Sequence, residues 1–121
     1  MDNRMHTIAI VEDDPRTLQG LSRLLSAHGF HVQTFESAES FLEVLAKCEA
    51  KCLLLDIHLG AMSGIDLKRR LSASGSTMPV IFMSALENEA TSKEVSELGC
   101  VAYLRKPFLA KLLIDAINGI P

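Results

Sequence analysis

A chain of 121 residues is one domain's worth, long enough to bury roughly two-thirds of its unfolded surface. It is 48% hydrophobic with a net charge of -3, an ordinary globular composition without the basic face of a nucleic-acid binder or an acidic tail. No apolar run approaches the roughly 20 residues of a membrane span and no secretory signal is read before the first strand, so the expectation is a cytoplasmic chain that makes no membrane contact. The cysteines, Cys48, Cys52 and Cys100, are odd in number and lack metal-site spacing. They read as free, mostly buried thiols in a reducing compartment.

In chain order, the first compact apolar run is Thr7 to Val11, rich in β-branched residues, and it reads as a buried strand. It ends on Glu12, Asp13 and Asp14. Asp14-Pro15 has the form of an N-cap followed by proline at the first helical position, which assigns Asp14 to capping rather than chemistry. Leu18, Leu21, Leu24 and Leu25 then share one helix face up to Gly29. His31 to Phe35 reads as a second strand, and Ser37 as the cap of a helix burying Phe41, Leu42 and Leu45. The third strand runs from Cys52 into Asp56. Ser63 and Asp66 fit a capping box at the start of a helix near Gly64 that buries Ile65, Leu67 and Leu71, with Lys68, Arg69 and Arg70 on its solvated face.

Met78 to Met83 predicts a fourth strand, with Pro79 near its entrance and Ser84 after it. Glu87 to Leu98 predicts a helix with a thin apolar face, Ala90, Val95 and Leu98, placing it at the low-stability end of the fold. Val101 to Arg105 is the fifth strand, followed by Lys106 and Pro107. Leu109, Leu112, Leu113, Ala116 and Ile117 give the last helix the clearest periodicity in the chain. Five alternations of strand and helix with short links predict an α/β doubly wound parallel sheet with helices on both faces.

In that fold Glu12, Asp13, Asp56, Ser84 and Lys106 all follow strands and converge at one sheet end, where open α/β sheets bind ligands. Taken singly, each has a structural reading as a turn former, a surface lysine or a helix N-terminal charge. Together they have a charge problem. Two like charges about 4 Å apart repel by about 4 kcal/mol at an effective dielectric near 20. One ammonium cannot balance three carboxylates, and a hard divalent ion, Mg²⁺ above all, can. A carboxylate beside a metal, an ammonium and a hydroxyl suits phosphoryl transfer through an aspartyl phosphate. Asp56 is then the acceptor, Glu12 and Asp13 the metal-holding acids, and Ser84 and Lys106 the ligands of the phosphoryl oxygens.

From Thr7 to Ile120 the chain resembles the receiver domains of two-component response regulators. The resemblance is carried by V-E-D-D-P around Glu12 and Asp13, L-L-L-D-I-H-L-G-A-M-S-G around Asp56, P-V-I-F-M-S-A ending at Ser84, and Y-L-R-K-P-F around Lys106. It implies the flavodoxin-like strand order 2-1-3-4-5. It also implies Mg²⁺ or Mn²⁺ bound by Glu12, Asp13, Asp56 and the backbone carbonyl of His58, a cis peptide before Pro107, and Tyr103 turning inward as Ser84 moves toward the phosphoryl group. A sensor histidine kinase is the implied partner. Phosphorylation-dependent homodimerisation is a family expectation, and V-Q-T-F-E-S-A-E-S-F-L is similar to the branch whose receivers precede a DNA-binding output domain. Gly60 stands where the family loop usually has proline, which should loosen it.

The implied function is a switch in which phosphorylation of Asp56 biases the segment from Ala85 to Tyr103. It is a signalling domain that assists its own phosphorylation and dephosphorylation, not an enzyme with a separate substrate. Residues 1–121 fit one receiver domain, either complete or the N-terminal part of a longer regulator. The competing class is a pseudo-receiver, the same fold used unphosphorylated as a protein-binding module; clustered acids have no purpose there. An aspartate-nucleophile phosphohydrolase wants a second acid where His58 stands, and a flavin phosphate would be repelled by Glu12, Asp13 and Asp14.

In the family the residues two beyond the acceptor and two beyond the hydroxyl residue, here His58 and Leu86, border the approach of water. Changing either is expected to alter the dephosphorylation rate more than the stability. Unchanged phosphoryl half-lives in both His58→Ala and Leu86→Ala would count against that role.

Overall fold

The computed structural model describes residues 6–85 and 89–121. Five strands alternate with five α-helices: β1 (Thr7–Val11), α1 (Pro15–Ala27), β2 (His31–Phe35), α2 (Ala38–Val44), β3 (Cys52–Asp56), α3 (Gly64–Ala73), β4 (Val80–Ser84), α4 (Glu89–Leu98), β5 (Ala102–Arg105) and α5 (Ala110–Asn118). Every strand pairing is parallel, and the order is β2-β1-β3-β4-β5. This is the doubly wound parallel sheet that the alternation predicts, in the flavodoxin-like order that the family resemblance implies. Leu86 and the predicted helix start at Glu87 lie outside the described residues.

The period-two geometry of a strand sends alternate side chains to opposite faces. Ile8, Ile10, Cys52, Leu54, Ile81 and Met83 therefore meet Leu18, Leu21 and Leu25 of α1 and Leu113 and Ile117 of α5. Ala9, Val11, Leu53, Leu55, Val80 and Phe82 meet Phe41 of α2, Ile65, Leu67 and Leu71 of α3, and Val95 of α4. Because both faces are covered, β3 and β4 are buried along their whole length, which is why they read as unbroken apolar runs.

The helix starts follow the sequence signals. Asp14 caps α1, accepting from the Arg16 N–H at 3.3 Å and the Thr17 hydroxyl at 2.6 Å. Ser37 caps α2 by accepting from Ser40, and Ser63 caps α3 by accepting from Asp66. Three details differ from the sequence expectation. β4 begins at Val80 rather than Met78: Pro79 has no N–H to give the ladder, although its carbonyl accepts from Leu53 at 2.9 Å. β5 starts at Ala102, with Val101 43% exposed at the edge of the sheet. Leu109 and Leu112 are 72% and 53% exposed, because the inward stripe of α5 is Leu113 and Ile117, continued by Ile120. Leu109 precedes the helix and Leu112 sits on its flank.

α4 packs through Val95 and the half-buried Leu98, and Arg69 of α3 pairs with Glu94. Arg69 thus bridges to α4 from the solvated face of α3. The cysteines are free. Cys52 is buried in β3 and its thiol is pushed up to about 12 by that burial. Cys48 and Cys100 are only half-buried, since they lie in connections outside the sheet.

Phe82 is wholly buried between β4 and the α2–α4 layer. Phe82→Ala is expected to cost about 3–5 kcal/mol, read as a lower urea midpoint at unchanged slope. A loss below about 1 kcal/mol would mean that this layer is loosely packed.

Candidate functional site

The parallel sheet gathers the polar strand ends at its carboxyl edge. Glu12 follows β1 directly, and its N–H is held by the Phe35 carbonyl at 3.0 Å. Asp56 is the last residue of β3 and Ser84 the last of β4, while Lys106 follows β5. Lys106 N–H donates to the Ser84 carbonyl at 2.8 Å, which ties the end of β5 to the end of β4. Glu12 is 1%, Asp56 5% and Ser84 0% exposed, whereas Asp13 stands in solvent.

Carboxylate oxygens of Glu12, Asp13 and Asp56 lie within 4.8 Å of one another. The Lys106 ammonium reaches across to pair with Glu12 Oε1 at 2.5 Å and Asp56 Oδ2 at 3.3 Å. The other Asp56 oxygen, Oδ1, accepts from the His58 N–H at 3.1 Å. Both oxygens of the Asp56 carboxylate are therefore engaged, one by a charge and one by the main chain. The His58 side chain is exposed. Tyr103 lies on β5 opposite Phe82, half-buried against the α2–α4 layer, and the Lys106–Pro107 peptide is cis.

Burial, then the hydrogen bond and charge of Asp56, push the Glu12 carboxyl from 4.5 to about 7, and the bond and charge of Lys106 only partly oppose them. Like-charge repulsion, expected from the sequence, enters through Asp56, but the first cause of the shift is burial. For Lys106, burial works against the ammonium, but the bond to Glu12 and the charges of Asp56 and Glu12 outweigh it and hold the pKa above 10.5. Asp14 is exposed, and its hydrogen bond from Thr17 lowers its pKa. It belongs to the helix cap.

One ammonium facing three carboxylates leaves a negative surplus in a partly dry setting. The donors are all hard oxygens at a spacing a small divalent cation can bridge, so the residues present fit a metal of the Mg²⁺ class.

Two features were not legible in the sequence. One is the His58 N–H on Asp56, since main-chain donors leave no trace in side-chain identity. The other is an open apolar groove of roughly 530 Å³ between α1 and the start of α5, lined by Leu21, Leu24, Pro107 and Phe108 and reaching Lys106. Gly20, on the groove side of α1, is the signal that could have pointed to it.

The family model for the response regulator receiver domain matches residues 8–118. Over 113 residues the chain is 33% identical to the transcriptional regulatory protein TdiR of Thauera aromatica, covering 93% of this chain and 50% of TdiR. It is 34% identical to the response regulator protein TodT of Pseudomonas putida over 119 residues, covering 98% of this chain and 52% of TodT. The chain thus spans about half the length of these curated relatives. Among solved structures, the response regulator StyR superposes with a TM-score of 0.87 at 35% identity, covering 94% of this chain and 58% of that one.

The raised Glu12 pKa sets a pH dependence for the metal-free protein. Between pH 4.5 and about 7 the native state holds a proton on Glu12 that the unfolded state has released, so stability falls as pH rises through that window. The ceiling is on the order of 3 kcal/mol. In EDTA the urea midpoint is expected to drop across this range in the native sequence and to stay flatter in Glu12→Gln. At the upper end, added Mg²⁺ should restore the midpoint by binding only the folded state. Equal slopes in the two proteins would refute this account of Glu12.

Proposed function

The chain belongs to the response regulator receiver domain family, and on that premise we propose that it is a phosphorylation switch with Asp56 as phosphoacceptor. The observation that carries this reading is a buried carboxylate at the tip of the central strand, with two further acids within 4.8 Å and an ammonium on one of its oxygens. A purely adhesive module gains nothing from concentrating charge that destabilises its own folded state.

In the proposed reaction an Asp56 carboxylate oxygen attacks the phosphorus of a phosphohistidine on a sensor kinase, or of a small acyl phosphate. The new O–P bond forms as the P–N or P–O bond to the donor breaks, and the imidazole or carboxylate leaves. Mg²⁺ or Mn²⁺, held by Glu12, Asp13, Asp56 and the His58 carbonyl, would neutralise charge shared between the carboxylates and the phosphoryl oxygens. The His58 N–H keeps Asp56 oriented, so little rotation is needed to reach the reactive geometry. Lys106 would exchange a carboxylate for a phosphoryl oxygen, and the Ser84 hydroxyl would take another. The groove between α1 and α5 leads to Lys106, and its apolar lining would be the surface on which the kinase docks.

The output follows from the same contacts. Once Ser84 and Lys106 turn toward the phosphoryl group, the end of β4 and the neighbouring Tyr103 on β5 would shift, with α4 as the element that responds. This is a population shift of a two-state element. Residues 1–121 would act as a single receiver domain at the head of a longer cytoplasmic regulator whose DNA-binding part controls transcription, with dimerisation on phosphorylation. The double length of TdiR and TodT supports a longer regulator, and the name of TdiR as a transcriptional regulatory protein supports a transcriptional output.

Incubation with acetyl phosphate and Mg²⁺ is expected to give one phosphoryl adduct by intact mass. EDTA and Asp56→Asn should each abolish it, and Lys106→Ala should slow its formation by about a hundredfold, the scale of one lost electrostatic contact. A folded, metal-supplied protein that forms no adduct and binds no beryllofluoride would return the chain to the pseudo-receiver class.

A further inference from the structure

Gly64 opens α3 and is buried against the main chain of the acceptor strand. A Cβ built on it would lie 2.2 Å from the Asp56 carbonyl oxygen and 3.0 Å from both the Asp56 carbonyl carbon and the Ile57 Cα. The obstruction is backbone, so no side chain can swing aside to relieve it. Gly64 is not among the glycines with positive φ, which are Gly29, Gly75 and Gly99, so what it supplies here is space. Gly60, in the same loop, has nothing within 4 Å of its would-be Cβ.

The contact closes the loop between β3 and α3 at its base. The Gly64 N–H donates to the Ile57 carbonyl at 2.9 Å, and the Ser63 cap fixes the first turn of α3 at the same point. Between these anchors runs the segment whose His58 N–H holds Asp56 Oδ1. Any displacement of the start of α3 therefore moves both the Asp56 main chain and the donor that orients its carboxylate.

We propose that Gly64 is a positioning residue for Asp56: its missing Cβ lets α3 seat directly on the Asp56 carbonyl, and that seating sets the loop that aims the carboxylate. Gly64 touches no reacting atom and acts only through Asp56 and His58. The proposal rests on the phosphoacceptor reading for its kinetic consequence but not for its structural one.

The test compares Gly64→Ala, Gly60→Ala and Ser63→Ala in conditions where each is fully folded. Three readouts are followed: the rate of adduct formation from acetyl phosphate, Mg²⁺ affinity by amide NMR titration, and the His58 amide resonance before metal is added. A misplacement of about 1 Å can cost a hundredfold, so Gly64→Ala is expected to slow phosphorylation by about tenfold or more, while Gly60→Ala stays within about twofold. The His58 amide should shift in Gly64→Ala and hold still in Gly60→Ala. A folded Gly64→Ala with native rate, native Mg²⁺ affinity and an unmoved His58 amide overturns the proposal. Should Gly64→Ala fail to fold, Ser63→Ala decides: it loosens the same turn without adding a methyl. A slowed rate with a shifted His58 amide supports positioning, and native values overturn it. If the native sequence itself takes no phosphoryl group, the phosphoacceptor reading falls, and the His58 amide and Mg²⁺ affinity still decide the role of Gly64.

Discussion

Three carboxylates and one ammonium share the carboxyl edge of the sheet, and the rest of the molecule is arranged around that imbalance. Glu12, directly after β1, and Asp56, the last residue of β3, are buried because those strands are themselves covered on both faces. Lys106 arrives from the far side of β4 and bridges them. The ammonium lowers the cost of this arrangement without removing it: Glu12 still sits near pH 7, a value set by burial and by Asp56 against the pull of Lys106. A folded protein that keeps acids so poorly compensated is poised to take up positive charge, and a hard divalent cation matches that oxygen donor set.

Asp56 is held from two directions that have different characters. From the β5 side the hold is ionic, through Lys106, and it can be exchanged for another anion. From the α3 side it is steric and main-chain: Gly64 pressed on its carbonyl and the His58 N–H on its carboxylate. A rigid hold on one side and an exchangeable one on the other would suit the proposed phosphoacceptor role of Asp56, in which the carboxylate stays aimed while its electrostatic partner changes.

The two helical layers are unequal in the same sense. α1 and α5 bury a continuous set of leucines and isoleucines against one face. On the other face, among the described residues, Val95, Leu98 and the Arg69–Glu94 pair hold α4, and an exposed ion pair contributes at most about 1 kcal/mol. This weakly anchored helix connects β4, which ends in Ser84, to β5, which Lys106 follows. A weakly held helix next to the charged edge is the natural candidate for the responding element in the proposed switch.

Alternating apolar runs and caps in the sequence determined the strands, the helix starts at Asp14, Ser37 and Ser63, and the parallel doubly wound class, because periodicity and capping are local properties of a chain. Acid, serine and lysine placed just after strands also marked Glu12, Asp13, Asp56, Ser84 and Lys106 as one cluster, since a parallel sheet sends all strand ends the same way. Family resemblance supplied the strand order, which nothing local encodes. Only the tertiary structure decided which side chains share a boundary. It turned Leu112 outward while Leu113 went in, gave Arg69 a partner on α4, made burial the first cause of the Glu12 shift, and set Gly64 against the Asp56 carbonyl. Those outcomes depend on distances between segments remote in sequence and on main-chain groups that every residue carries alike, so no pattern of side chains could announce them.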